Sequence, residues 1–132
     1  MVSFERFVID DSNPIYLQIT LFVKRGIAAG IIKCHDEMPS RRVLSATLGV
    51  NPNTVQRAYR MLEEEGVIES RLGAKSYISV DEKQVEDIRT QLLESDVCAI
   101  VRTMQQLGAS EEETVELVRK LWKQLESGSD LK

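Results

Sequence analysis

Two cysteines, Cys34 and Cys98, occur in 132 residues, far apart and without CxxC spacing, so neither a disulfide framework nor a four-ligand zinc site is expected. A single histidine, His35, leaves no nucleophile–base–orienter set, which argues against an enzyme. Cys34-His35-Asp36-Glu37 gathers metal-ligand types, but adjacent loop residues rarely converge on one ion, so no metal and no other cofactor is expected. No run of 18 apolar residues exists, which argues against a spanning helix, and Val2–Asp11 lacks the basic and apolar regions of a signal peptide. No membrane partner and a cytoplasmic location are therefore the expectation. Internal repeats and low-complexity segments are also missing. What is present is an ordinary globular balance, 42% hydrophobic and 29% charged, in a length that suits one small domain with an appended oligomerisation element.

The net charge of −4 hides a division. Residues 1–80 carry 10 Lys/Arg against 9 Asp/Glu, whereas residues 81–132 carry 7 against 12. Between Pro39 and Lys75 the cations are Arg41, Arg42, Arg57, Arg60, Arg71 and Lys75, while the acids cluster at Glu63, Glu64, Glu65 and Glu69. A duplex responds to the face it meets rather than to the chain total, so the acidic average does not exclude nucleic acid.

Asn13-Pro14 reads as an N-cap with proline at the first helical position. Ile15, Ile19, Phe22, Val23, Ile27 and Ile31 then follow a helical period of about five turns, with Gly26 and Gly30 weakening the second half. Ser40 caps a short second helix carrying Leu44 and Leu48, and Gly49 fits the left-handed stop. Asn51-Pro52 restarts the chain into a third helix with Val55, Ala58 and Leu62 as its inner stripe, ended by Gly66. Two short helices joined this tightly predict a helix-turn-helix. Val67–Arg71 and Ser76–Val80, separated by Leu72-Gly73-Ala74-Lys75, predict a hairpin with a four-residue loop, placed where a wing belongs.

From Asp81 the period is helical again. Val85, Ile88, Leu92, Val97, Ile100, Met104 and Leu107 mark a long helix, with Cys98 expected as a small core residue beside the stripe. Gly108-Ala109 breaks it, and Ser110 with Glu113 forms a capping box for a last helix lined by Val115, Val118, Leu121, Trp122 and Leu125. The fold class expected is mainly α with a small β-hairpin: a winged helix-turn-helix plus a C-terminal two-helix dimerisation element. Residues 1–80 form the DNA-binding domain, with an N-terminal arm over 1–12, and residues 81–132 the helical dimerisation region.

Asn13–Val80 resembles the winged helix-turn-helix domain of GntR-family bacterial transcription regulators. The resemblance is carried by Pro14-Ile15-Tyr16-Leu17-Gln18, Pro39-Ser40, Leu48-Gly49-Val50 and Glu65-Gly66-Val67-Ile68, in that order over half the chain. The short tail resembles that of the YtrA-type subfamily, which implies a dimeric regulator, often of transporter operons. Three departures stand out: Arg41 and Val43 where the family often has glutamate, Gly73-Ala74-Lys75 where its wing has Gly-x-Gly, and His35 where glycine is common. Losing the acid at 43 removes the capping-box partner of Ser40.

Reading DNA requires donors that reach base edges, held in register by phosphate contacts. With Val55, Ala58 and Leu62 turned inward, Asn53, Thr54, Gln56, Arg57 and Arg60 remain for the groove, and Asn51, Asn53 and Thr54 lie where a helix N-terminus attracts phosphate. Gln56 suits adenine and Arg57 suits guanine. Ser40 and Arg41 lie with Arg42 at the more basic front of the second helix. The resemblance implies that Arg42 contacts base or phosphate and that Gly73, with Lys75 beside it, lets the wing approach the minor groove. Many relatives carry the contacting arginine at position 56, so Arg57 is expected to take over part of that role. Tyr59 and Met61 are expected as packing or flanking residues, and Glu63–Glu65 as a solvated face.

The tail stripes, Ile100, Met104, Leu121 and Trp122 among them, make a thin core alone, so a twofold homodimer over an inverted-repeat operator in double-stranded DNA is expected. The competing reading folds the tail back onto its own wing domain. Two further functional readings stand beside the regulator, which is expected to repress. One is a winged-helix protein-interaction module without DNA. The other adds a small-molecule effector, held by the tail helices or between tail and wing domain, for which the sequence names no ligand.

Overall fold

Local capping chemistry sets most of the helix starts. The computed structural model describes residues 1–71 and 75–128. Among them, helices α1 (Ile15–Ala28), α2 (Arg41–Leu48) and α3 (Pro52–Glu64) precede strands β1 (Ile68–Arg71) and β2 (Lys75–Ile78), followed by α4 (Glu82–Gln106) and α5 (Glu111–Glu126). Ser40 Oγ accepts from the Val43 N–H at 3.1 Å, Asn51 Oδ1 from the Asn53 N–H at 2.8 Å, and Ser110 Oγ from the Glu113 N–H at 3.1 Å. Gly49 takes φ 67° between α2 and α3, the left-handed turn that joins the two helices.

Helix α1 departs from expectation at both ends. Pro14, not Asn13, occupies the cap position, and no side chain caps it. Asn13 offers its carbonyl to Gln18 Nε2 at 2.6 Å instead, and Gln18 also exchanges bonds with the Asp10 backbone, at 2.9 and 3.1 Å. The helix closes at Ala28, so Ile31 falls outside the stripe and is 78% exposed. Ile32 is the buried residue there, folded against Gly26 so closely that a Cβ at 26 would lie 2.4 Å from its Cδ1. The local pattern had no means of distinguishing Ile31 from Ile32 across a left-handed residue at Gly30.

The hairpin is tighter than expected. Arg71 pairs with Lys75, so Lys75 belongs to β2, and the connection is Leu72-Gly73-Ala74, which lies outside the described residues. The segment before α2 runs along β2: the His35 N–H donates to the Ile78 carbonyl, the Ile78 N–H to Asp36 and the Met38 N–H to Ser76, at 2.8–2.9 Å. His35 is held there at φ 76°, a left-handed conformation that favours glycine over a residue with a Cβ. The first residues, expected as an arm, join this layer. The Val2 N–H donates to the Glu37 carbonyl at 2.8 Å, Val2 and Phe4 are buried, and the rings of Phe4, Phe7 and Phe22 meet at centroid distances of 5.0–5.7 Å, Phe7 edge-on to the other two.

Two compact units result, Met1–Gln91 and Leu92–Lys132, and α4 runs through both. The first contains the core: Ile19, Val23 and Ile27 of α1 meet Leu44, Val55, Ala58, Tyr59 and Leu62, closed by Ile68 and Ile78. Val85 and Ile88 pack against that core, which explains why the boundary falls within α4 rather than at Val80. In the second unit no residue of α4 or α5 is buried. Cys98, expected in a core, is exposed, because the stripe beside it has no cover. No helix among the described residues is long and apolar enough to cross a membrane.

Candidate nucleic-acid interface

Helix α3 presents two faces with different chemistry. Val55, Ala58, Tyr59 and Leu62 are fully buried, and with about 3.6 residues per turn the opposite side carries Asn53, Gln56, Arg57 and Arg60, all exposed. The side chains of Asn53, Gln56 and Arg60 have no hydrogen-bond or ion-pair partner among the described residues. Arg57 has no ion pair there either, but its guanidinium lies over the Tyr16 ring, 3.9 Å from the centroid. Glu64 bounds this face at its C-terminal end. Thr54 is half-buried at its edge.

Tyr59, expected as a packing residue, anchors the reverse side. Its hydroxyl donates to the Pro39 carbonyl at 2.6 Å, so the turn before α2 is tied to the middle of α3. Burial pushes this phenol well above the ordinary tyrosine range, and the positive charge of Arg41 opposes the shift.

The arginines of α2 separate. Arg42 is exposed and without an ion pair among the described residues, on the solvent side of the helix. Arg41, its neighbour, turns into the α2–α3 junction, where its guanidinium pairs with Glu63 and lies 4.9 Å from the Tyr59 ring centroid. Its Nε is buried without a hydrogen-bond partner among the described residues. Arg41 thus neutralises an acid instead of adding free charge to the front of α2. Nor is the glutamate run a uniform solvated face. Glu63 pairs with Arg41 and Glu65 pairs with Lys24 at 2.8 Å, so of the three only Glu64 has no ion-pair partner among the described residues.

The backbone at the α3 N-terminus offers less to an anion than the sequence implied. Pro52 has no N–H, the Asn53 N–H is taken by the Asn51 side chain, and the Thr54 N–H by the Asn51 carbonyl at 2.9 Å. At α2 the hydroxyl of Ser40 is likewise engaged as a cap. These residues order the helix starts, while the long side chains of α2 and α3 supply the free donors. On the wing, Lys75 is exposed and stands opposite Arg71, itself bonded to Glu69 at 2.9 and 3.1 Å and lying 4.6 Å from the Tyr77 ring centroid. Gly73 lies outside the described residues.

In the second unit the named tail residues are open to solvent: Ile100 is 50% exposed and Trp122 65%, with Leu121 exposed and Met104 half-buried. A groove of about 750 Å³ runs between the end of α4 and α5, lined by Met104, Leu107 and Leu117 with Lys120 and Lys123 at its edge. Tyr16 is the residue that sequence reasoning passed over. It belonged to the opening motif, but no periodicity signals a ring beneath an arginine of another helix.

Residues 15–78 match the sequence model of the bacterial regulatory proteins of the gntR family. Over 96 residues the chain is 41% identical to the HTH-type transcriptional repressor YtrA of Bacillus subtilis (strain 168), covering 73% of this chain and 69% of YtrA. The HTH-type transcriptional regulator YhcF of the same organism is 32% identical over 108 residues, 82% of this chain and 89% of YhcF. Among solved structures, a GntR family transcriptional regulator from Listeria monocytogenes superposes with a TM-score of 0.76 at 33% identity, covering 85% of this chain and 98% of that one. These relatives are transcription regulators, not enzymes.

Proposed function

The chain belongs to the GntR family of bacterial regulatory proteins, and from that premise we propose that it is a sequence-specific DNA-binding repressor acting as a homodimer on an inverted-repeat operator. The observation that carries this reading is the solvent face of α3. Asn53, Gln56, Arg57 and Arg60 project from a helix whose other side is locked into the core, and Arg42 of α2 adds a cation without an internal acid to hold it. Amide and guanidinium donors on a rigid rod match the donor and acceptor pattern of the major groove. Lys75 on the wing extends the cationic side toward the neighbouring backbone.

Residues 1–80 supply recognition in this reading, and residues 81–132 supply pairing. The stripe Leu93, Val97, Ile100, Met104 and Leu107, at alternating spacings of four and three and exposed but for the half-buried Met104, and the broad apolar face of α5 call for cover. A second copy covers both by twofold symmetry and sets two reading helices on successive major grooves. The groove beside Lys120 is where an effector would sit. YtrA is named a transcriptional repressor, and the resemblance makes a transporter operon the first place to seek the operator.

Selection of bound fragments from the source genome, followed by fluorescence anisotropy at two salt concentrations, tests the reading. Binding should be sequence-selective and should weaken steeply with salt. Arg42→Ala, Arg57→Ala and Arg60→Ala should each weaken it while leaving the fold intact, by about 1–3 kcal/mol where a base contact is lost and with a shallower salt slope where a phosphate contact is lost. Unchanged affinity in all three variants would remove the assigned surface.

A further inference from the structure

Three guanidinium groups in the first unit lie over tyrosine rings, and they are not alike. Arg41 over Tyr59 and Arg71 over Tyr77 are each also held by a carboxylate, Glu63 and Glu69 respectively. Arg57 over Tyr16 is the closest of the three, at 3.9 Å, and has no carboxylate partner among the described residues. The difference matters chemically. A carboxylate engages the N–H edge of a guanidinium, whereas a ring engages its flat face and leaves the edge donors free. A bidentate contact to O6 and N7 of guanine needs that free edge, already oriented.

The platform is itself fixed. Tyr16 stands in the first turn of α1, half-buried and packed against the hydrophobic core of the first unit. We infer that Tyr16 is a positioning residue for DNA recognition: its ring holds the Arg57 guanidinium face-on, edge outward, so that Arg57 reads a G·C pair in each operator half-site. This rests on the DNA-binding reading above and adds the residue that orients the reader and the base it takes. Preorganisation of this kind sharpens discrimination, since the arginine gives up fewer conformations on docking.

The test uses the full chain and a duplex selected from the source genome, with every base pair of one half-site substituted in turn. Tyr16→Ala should weaken binding roughly 3- to 20-fold, the range a stacking contact of this kind converts to, and should flatten the preference at the same base pair that Arg57→Ala flattens. Tyr16→Phe, which keeps the ring, should hold both affinity and preference within about twofold. The double variant should bind no worse than Arg57→Ala alone. Equal weakening at every sequence, full additivity with Arg57→Ala, or a Tyr16→Phe variant as weak as Tyr16→Ala would overturn the inference, the last by assigning the hydroxyl to a phosphate. A wild-type chain that binds selectively while Tyr16→Ala matches it overturns the inference alone. A wild-type chain with no selective binding overturns the DNA reading and the inference together.

Discussion

Arg41→Ala separates the two roles open to a basic residue beside the recognition helix. Its guanidinium pairs with Glu63 at side-chain exposures of 26% and 34%, so solvent still screens the pair and its share is about 0.5–1 kcal/mol. Lying over the buried Tyr59 ring adds about 0.5–1 kcal/mol. The buried, unpartnered Nε works the other way, and its removal returns roughly 1 kcal/mol of desolvation. The net expectation is a loss of about 0.5 kcal/mol, or roughly 2–4 °C in Tm for a unit of this size. Circular dichroism melts of Arg41→Ala, Glu63→Gln and the double variant measure it, with the double variant falling short of the sum by about 0.5 kcal/mol. Operator affinity at fixed salt should stay within about twofold of wild type, while Arg60→Ala loses affinity without losing Tm. An Arg41→Ala chain that melts like wild type but binds DNA as poorly as Arg60→Ala would refute the assignment, placing Arg41 on phosphate rather than on Glu63.

Three further outcomes follow from particular residues. His35→Gly relieves a left-handed conformation costing about 1–2 kcal/mol and loses about 0.5–1 kcal/mol to chain entropy, so Tm should rise slightly; a fall would show that the His35 side chain contributes to the turn. The Tyr59 phenol is raised above its ordinary value of 10.0 by burial, so the neutral form is favoured in the folded chain and its contribution is full below about pH 10 and declines as pH climbs beyond it. Urea unfolding of Tyr59→Phe should therefore show a smaller alkaline loss than wild type, and an identical loss would discount the buried phenol. Trp122→Asp places a charge on the most exposed large residue of the α5 stripe and should shift sedimentation from dimer to monomer, weakening operator binding with it; an unchanged sedimentation coefficient would move the pairing surface elsewhere.

Much of the candidate site was legible because the signals were local. The side of α3 that faces solvent followed from Val55, Ala58 and Leu62 by period alone, and the caps at Ser40, Asn51 and Ser110 all engage the backbone as their residue types foretold. The reading ran out where two segments had to meet. Arg41 and Arg42 are adjacent and chemically identical, yet helix geometry turns one toward Glu63 and the other to solvent. Cys98 sat beside a convincing stripe, but a stripe tells of apolar character and not of whether anything covers it.

The amino-acid order by itself determined where α2, α3 and α5 start, which side of α3 is apolar, and that the first eighty residues have the pattern of a winged helix-turn-helix, since capping, periodicity and turn chemistry act within a few residues. Folding in three dimensions decided which charged groups remain free. Tyr16 reaches Arg57, Lys24 reaches Glu65 and Val2 reaches Glu37 only once α1, α3 and the β2 edge are packed together. Ion pairs and ring contacts depend on distances of a few ångströms between segments far apart in sequence, and packing alone sets those distances.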